Sequence, residues 1–323
     1  MSDSNTITLA HLSDIHLPLT VGFAPRYWNA KRILGWLNWQ RKRRFIHTRA
    51  ALDAIVSDVK AKNPDHILIS GDLVNIGLPG EYEAARDWLA TVGTPDCVSV
   101  VPGNHDAYVT EEAEPGIGLW ALYMANDAFG QSLGLVGTTR LGGTFPYVRQ
   151  VGGIAIIGVS SGIAARPGSA IGEAGTSQLA KLGEALTMTR AAGLMRVVMI
   201  HHPPLPGLAT GGRVLIDRVE MARTLERYGA ELVVHGHNHT MTRVMHAGIP
   251  IEGVASASAI RANGHEPPAR YNLITIHLRE GARSIEIETR GFDPAGKSVG
   301  TIGSTILPQH LQEPRLLDKA TTA

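Results

Sequence analysis

Apolar residues along this chain fall into short bursts with two spacings. Thr6–Leu12 reads TITLAHL, rich in β-formers and closed by Ser-Asp, which predicts a buried strand. Thr48–Lys62 places Leu52, Ile55, Val56 and Val59 at helical spacing, with Thr48 as N-cap and Asn63-Pro64 as the stop. His66–Ile69 predicts a second strand, Glu81–Val92 a helix with Tyr82, Ala85, Trp88 and Leu89 on one face, and Val98–Val101 a third strand. Strands and helices alternating in this way indicate parallel βαβ units, and uniformly apolar strands fit a sheet covered on both faces.

Residues 110–145 are Gly-rich, with one helix expected around Leu119–Phe129. Tyr147–Val151 and Ile154–Val159 form a hairpin-like pair across Gly152-Gly153. Helices follow at Gln178–Ala192 and Arg218–Tyr228, with strands at Arg196–Ile200 and Leu232–Val234. After His239 the rhythm changes. Thr242–His246, Ile249–Ala255, Tyr271–Leu278 and Ser284–Arg290 are strands without intervening helices, the last two joined by a turn at Glu280-Gly281-Ala282. The pattern predicts an α/β protein of two packed sheets with helices outside, one domain over residues 1–305 and a loosely ordered tail at 306–323.

Composition narrows the chemistry. In 323 residues, 44% are hydrophobic and 18% charged, which excludes a disordered chain. The single Cys97 excludes an internal disulfide and a thiolate zinc site. Thirty basic residues against 29 acidic ones argue against a coating for duplex DNA. The opening MSDSNTITLA has no basic region and no apolar core, so it is not a secretory signal, and no run approaches the roughly 18 apolar residues of a membrane span. The expectation is a soluble, cytoplasmic protein. Fourteen histidines direct attention to metals and acid–base chemistry.

Five predicted strands end in metal-binding residue types: Asp14-Ile15-His16, Gly71-Asp72, Gly103-Asn104-His105-Asp106, His201-His202-Pro203-Pro204 and His235-Gly236-His237-Asn238-His239. In an open α/β sheet such carboxyl ends face one crevice. Carboxylates and imidazoles without thiolate suit Mn, Fe, Zn or Co. Asp72, placed centrally, is suited to bridge two cations, and a pair about 3.5–4 Å apart clamps the attacking and leaving oxygens at phosphorus.

These motifs, in this order, resemble the calcineurin-like metallophosphoesterases over roughly residues 6–255. The resemblance implies a four-layer α/β/β/α sandwich of two mixed sheets. It implies one metal on Asp14, His16, Asp72 and His239, and another on Asp72, Asn104, His201 and His237, with a bridging hydroxide attacking a phosphoester. His105 would be the catalytic histidine, with Asn104 beside it on the phosphoryl oxygens. His202 and His235 are candidates for ligand support or substrate contact, and Asp106 either orients His105 or caps a helix. Ser70–Tyr82 (SGDLVNIGLPGEY) and Val101–Asp106 look like the bacterial class III cyclic-nucleotide phosphodiesterases and their glycerophosphodiesterase relatives, and the departure from Gly-Asp-x-His-Gly speaks against a protein phosphatase. An inactive metal-binding scaffold is the rival from another class.

An insertion at about residues 22–47 lies outside this pattern. Arg26–Arg49 holds eight basic residues, no acid and three of the five tryptophans. On a continuous helix Trp28, Trp36 and Trp39 share a face, with Arg32 and Arg43 nearby. Three readings stand: a flap packed on the body, a segment lying on an anionic membrane and serving a phospholipid or lipid-linked substrate, or a single-stranded nucleic-acid platform, the least favoured.

Overall fold

The computed structural model describes residues 6–109, 116–279, 282–293 and 298–307. In chain order, β1 (Thr6–Leu12) is followed by α1 (Ala30–Arg41), α2 (Arg49–Lys62), β2 (His66–Ile69), α3 (Pro79–Val92) and β3 (Val98–Val100). A 3-10 segment at Gly116–Met124, the short α4 (Ala128–Ser132) and a hairpin of β4 (Thr138–Arg140) and β5 (Gly143–Phe145) lead to β6 (Tyr147–Val151) and β7 (Ile154–Val159). Next come α5 (Thr176–Ala191), β8 (Met195–Ile200), α6 (Arg218–Tyr228), β9 (Leu232–His235), β10 (Thr242–His246) and β11 (Ile249–Gly253). The strands β12 (Arg270–Arg279), β13 (Ala282–Phe292) and β14 (Val299–Leu307) complete the described fold.

One sheet runs β14-β13-β12-β1-β2-β3 and the other β10-β11-β9-β8-β7-β6. The late antiparallel strands therefore do not build a sheet of their own. β1 pairs in parallel with β2, and its other edge is completed by β12 running antiparallel, from Thr6 opposite His277 to His11 opposite Asn272. A central strand left with a bare edge would bury unpaired backbone groups, so the chain returns to cover it. In the second sheet β7, β8, β9 and β11 are parallel, with β6 and β10 as antiparallel edges.

Alternation along the strands orders the layers. In β7, Ile154 and Ile156 join a core shared with Leu9, Ile274 and Ile276 of the first sheet, while Ala155, Ile157 and Val159 pack with Leu182 and Leu186 of α5 and Leu225 of α6. In β8, Met195, Val197 and Met199 face the first core, and Val198 and Ile200 the second. The far side of the first sheet is covered by Leu52 and Ile55 of α2 and by Trp88 and Leu89 of α3. The protein is a four-layer α/β/β/α sandwich.

Three sequence expectations change. The helix expected at Leu119–Phe129 is a 3-10 segment followed by α4. Its buried Ile117, Trp120 and Tyr123 recur every three residues, the 3-10 period, and Asp127 restarts the chain as an N-cap, accepting from the Gly130 amide at 2.8 Å. β4, β5 and β14 are additions to the expected strands; β14 mixes Val, Ile and Leu with Gly, Ser and Thr in no regular alternation and is about half exposed. β14 also runs past residue 306, to Leu307, while residues 308–323 and the Glu280-Gly281 turn lie outside the described residues.

Trp120 is fully buried and its indole donates to the Tyr82 carbonyl at 3.0 Å. Trp120→Ala is expected to lower unfolding stability by about 3–5 kcal/mol in urea titrations; an unchanged midpoint would contradict this packing.

Candidate metal centre

The carboxyl ends of β1, β2, β3, β8 and β9 meet at one edge of the sandwich, and the chain turns sharply there. Asp14, His16, Asp72, His237 and His239 all have left-handed backbone conformations, with φ of 52°, 42°, 57°, 70° and 55°. Each costs about 1–2 kcal/mol for a residue with a Cβ, a strain that concentrates where function demands a particular side-chain direction. The loops after β1 and β2 are zipped together, Asp14 N donating to Gly71 O, His16 N to Asp72 O and Leu17 N to Leu73 O at 2.9–3.0 Å. Gly71, at φ 96°, passes so close to the next loop that a Cβ would lie 2.6 Å from Gly103 N.

Asp106 locks this arrangement. Its buried carboxylate accepts the backbone N–H groups of Asp72, Leu73, Val74 and Gly103 at 2.7–3.2 Å. Neither of the two roles expected for it, orienting His105 or capping a helix, describes these contacts. Asp106 instead holds the β2 and β3 loops together. Glu81 does the same for the next stretch, accepting from Asn75, Ile76 and Leu78.

Two clusters of candidate ligands result: Asp14, His16 and His239, and Asp72, His201 and His237, each with its ligand atoms within 4.8 Å of one another. Asp72 Oδ2 lies between them, 3.4 Å from His201 Nε2 and 3.9 Å from His16 Nε2. Asn104 Oδ1 is 3.3 Å from His201 Nε2. Each imidazole is oriented from outside. His16 Nδ1 donates to Val74 O, His201 Nδ1 to Ser70 O and His237 Nε2 to Arg213 O, while His239 Nδ1 faces Glu266 Oε2. The inner nitrogens then face each other, His16 with His239 at 3.3 Å and His237 with His201 at 3.2 Å. Inward lone pairs with outward N–H groups tied to oxygens are the arrangement by which histidines ligate a cation.

The electrostatics point the same way. Burial would raise the Asp72 carboxyl, but His201 and His105 outweigh it and hold it at about 2. Burial would lower His201 and His239; Asp72 and Asp14 respectively reverse this and raise each to about 9. Without a cation, each carboxylate thus retains a proton on an imidazole in its place. Asp106 is pushed up to about 7 by burial and by Asp72, against the four amides that favour its ionised form.

His105 is set apart from these clusters. Its Nδ1–H donates to Asn75 O at 2.5 Å, its ring stacks on Tyr108, and its Nε2 accepts from Arg43 Nη1 at 2.9 Å. His202 and His235 are both satisfied by protein: His202 by Ser161 Oγ and Ala170 O, His235 by Gly236 O and Thr242 Oγ1. They brace loops and leave no nitrogen free for substrate.

The insertion folds over this edge. α1 is capped by Asn29 and anchored by Arg32, whose guanidinium donates to Ile76 O and Gly77 O. Trp28 lies before the helix, so the three tryptophans do not share a helical face; Trp36 and Trp39 pack inward against the cluster of Leu19, Ile76, Leu78 and Tyr108. Arg43 reaches His105, and with Lys31, Trp39, Tyr108, Asn75 and Asn104 it lines a cavity of about 210 Å³ that, among the described residues, no carboxylate borders. Two further contributors carry no signal in the sequence. His47 packs its ring 4.7 Å from that of His16, and Glu266 pairs with His239. Neither belongs to a local motif.

A stability profile follows for the chelated protein. His201 and His239 contribute stability that is complete below their unfolded value of 6.5 and is lost as pH rises through about 9. His11, His16, His47, His66, His105, His202, His235 and His237 are all held low by burial, so below 6.5 the unfolded chain takes up protons that the folded chain refuses. Melting temperature is expected to peak between about pH 6.5 and 8 and to fall on both sides. A melting temperature that climbs steadily to about pH 10 would contradict the assignment.

Comparisons with known proteins agree with this geometry. The calcineurin-like phosphoesterase family matches residues 7–241. A probable cyclic nucleotide phosphodiesterase of Synechococcus sp. is 30% identical over 104 residues, 32% of this chain and 33% of that protein. The glycerophosphodiester phosphodiesterase GpdQ of Enterobacter lignolyticus is 39% identical over 64 residues, 19% of this chain and 22% of that protein. A cAMP/cGMP dual specificity phosphodiesterase of Mycobacterium tuberculosis is 28% identical over 201 residues, 60% of this chain and 54% of that protein. The chain thus spans less than two thirds of the length of these relatives. Among solved structures, a dimetal phosphatase from Danio rerio superposes with a TM-score of 0.58 at 14% identity, covering 92% of this chain and 98% of that one. The purple acid phosphatase PPD1 of yellow lupin gives 0.54 at 11% identity, covering 95% and 54%. These two likenesses concern the fold. The family match takes in every strand-end motif, and the chain belongs to the calcineurin-like phosphoesterase family.

Proposed function

We propose that this protein is a dinuclear-metal phosphodiesterase acting on a cyclic nucleotide, a glycerophosphodiester or a similar diester. The observation that carries the reading is the pair of buried donor clusters flanking Asp72 Oδ2, beside a cavity that Asn104 and His105 line together with Lys31 and Arg43 and that, among the described residues, no carboxylate borders. Asp14, His16, Asp72 and His239 would hold one cation, and Asp72, Asn104, His201 and His237 the other. Oxygen and imidazole donors suit Mn, Fe, Zn or Co. The names of the curated relatives support a diester substrate. An inactive scaffold is disfavoured because no position of the donor set has been lost.

Cations held here would neutralise charge on the phosphoryl oxygens and lower the pKa of water toward neutrality. The chain's own groups do the rest. The Asn104 amide and the Arg43 guanidinium would bind non-bridging oxygens as charge develops. Asn75 O fixes the tautomer and orientation of His105. When a phosphoryl oxygen takes the Arg43 N–H, the lone pair of His105 Nε2 is released, so that it could accept a proton from solvent water and pass it to the leaving oxygen.

Asp72→Ala is expected to lose bound metal at both positions and to abolish hydrolysis of bis(p-nitrophenyl) phosphate; normal turnover with that variant would overturn the proposal. Arg43→Ala should keep its metal content but lose about 10²–10³-fold in kcat, with Arg43→Lys recovering part of it. Metal analysis beside the kinetics separates the two effects.

A further inference from the structure

The two faces of α1 are unlike each other. Lys31, Arg32, Gly35, Trp36 and Trp39 turn toward the body, whereas Ile33, Leu34, Asn38 and Arg41 face solvent. Leu34 is 55% exposed, and just before and after the helix Trp28 and Phe45 are 57% and 51% exposed. Single exposed apolar residues are ordinary. Here, among the described residues, four of the ten large exposed hydrophobics fall between Trp28 and Phe45. None of them is needed to seat the helix, which Arg32, Trp36 and Trp39 already do.

The charge around them has one sign. Of the eight cations between Arg26 and Arg49, Arg32 is spent on two backbone carbonyls, Arg43 on His105 and Arg49 on Asp53, and Lys31 lies over the Tyr108 ring. Arg26, Arg41, Lys42 and Arg44 remain exposed, and among the described residues none of these four is in an ion pair. The stretch contains no acid to offset them. Asn38, on this exposed face, also lines the cavity above the metal centre, so the cavity opens beside it.

We propose that the outer face of α1 and its flanking turns dock this protein on an anionic phospholipid bilayer, with Trp28, Leu34 and Phe45 entering the headgroup region and Arg26, Arg41, Lys42 and Arg44 meeting lipid phosphates. Exposed apolar residues rimmed by unpaired cations are complementary to such a surface in both hydrophobicity and charge. Single-stranded nucleic acid fits less well, because Trp36 and Trp39, which would have to stack bases, face inward. Docking sets the cavity mouth at the membrane surface. Resting on the phosphodiesterase reading, it also names the substrate class: an amphipathic phosphodiester whose headgroup enters the cavity of about 210 Å³ while its apolar part stays in the bilayer.

The test is co-sedimentation of the intact, metal-loaded protein with phosphatidylcholine vesicles, with or without phosphatidylglycerol, at low and high salt. Binding is expected only with phosphatidylglycerol and is expected to weaken with salt. Leu34→Glu and the double variant Arg41→Glu/Arg44→Glu should each bind at least about tenfold more weakly. Both should keep full turnover of soluble bis(p-nitrophenyl) phosphate while losing hydrolysis of a vesicle-borne phosphodiester. No vesicle binding at low salt, equal binding by the variants, a dimer in light scattering that Leu34→Glu dissolves, or binding of an oligonucleotide instead of vesicles would each overturn the docking proposal. Failure to turn over the soluble diester would strike the phosphodiesterase reading and leave vesicle binding to be judged on its own result.

Discussion

Asp14 and Asp72 are carboxylates removed almost wholly from water at the junction of two sheets, and the rest of the structure is arranged around making that tolerable. An isolated charge at such a depth costs several kcal/mol unless opposite charge and hydrogen bonds surround it. Here imidazoles supply both. His239 sits 3.1 Å from Asp14 Oδ1 and His201 3.4 Å from Asp72 Oδ2, while the amides of His237 and His105 donate to the carboxylates' other oxygens. The four candidate ligand histidines are in turn steered by oxygens behind them.

That geometry requires backbone that most sequences avoid. Five of the proposed ligands lie in the left-handed region, and the strain is offset by what lies beneath: Gly71 against Gly103, and the four amides gathered on Asp106. Asp106 and Glu81 are both buried acids whose carboxylates spend themselves on backbone N–H groups. They act as fasteners for the β2 and β3 loops, and through Asn75 they reach His105.

These arrangements were unequally legible in the sequence. Asp14, His16, Asp72, Asn104, His201, His237 and His239 could be singled out because each sits in a short motif after an apolar strand, and strand ends in an α/β sheet converge by topology alone. His105 was legible for the same reason. The sandwich was visible as two sheets, but not how they divide the strands, because partnership of β1 with β12 is a contact across most of the chain. His47 and Glu266 were hidden because their role depends on folding together segments with no shared pattern. The 3-10 segment was misread because apolar residues three apart satisfy an α-helical template nearly as well. For Asp106 the partners were hidden: a side chain's neighbours in sequence say little about four amides drawn from two loops.

The insertion shows how one composition can serve different physics on two sides of a helix. Asn29 starts α1 and Arg32 pins it to the loop that carries Asn75. Gly35 lets it approach so closely that a Cβ would meet the Tyr108 hydroxyl at 2.2 Å. This closeness is what brings Arg43 to the cavity, where burial pushes its guanidinium down from its usual range, although it stays cationic near neutral pH. Its side-chain partner is a neutral imidazole, and among the described residues no carboxylate borders the space in front of it. A cation desolvated in this way is poorly compensated in the free protein, and the shortfall is relieved by an anion arriving beside it. On the proposed function, Arg43 in the turn after α1 would turn burial cost into affinity for a phosphoryl anion, whereas the exposed cations of the outer face, still hydrated, act over longer range and yield to salt.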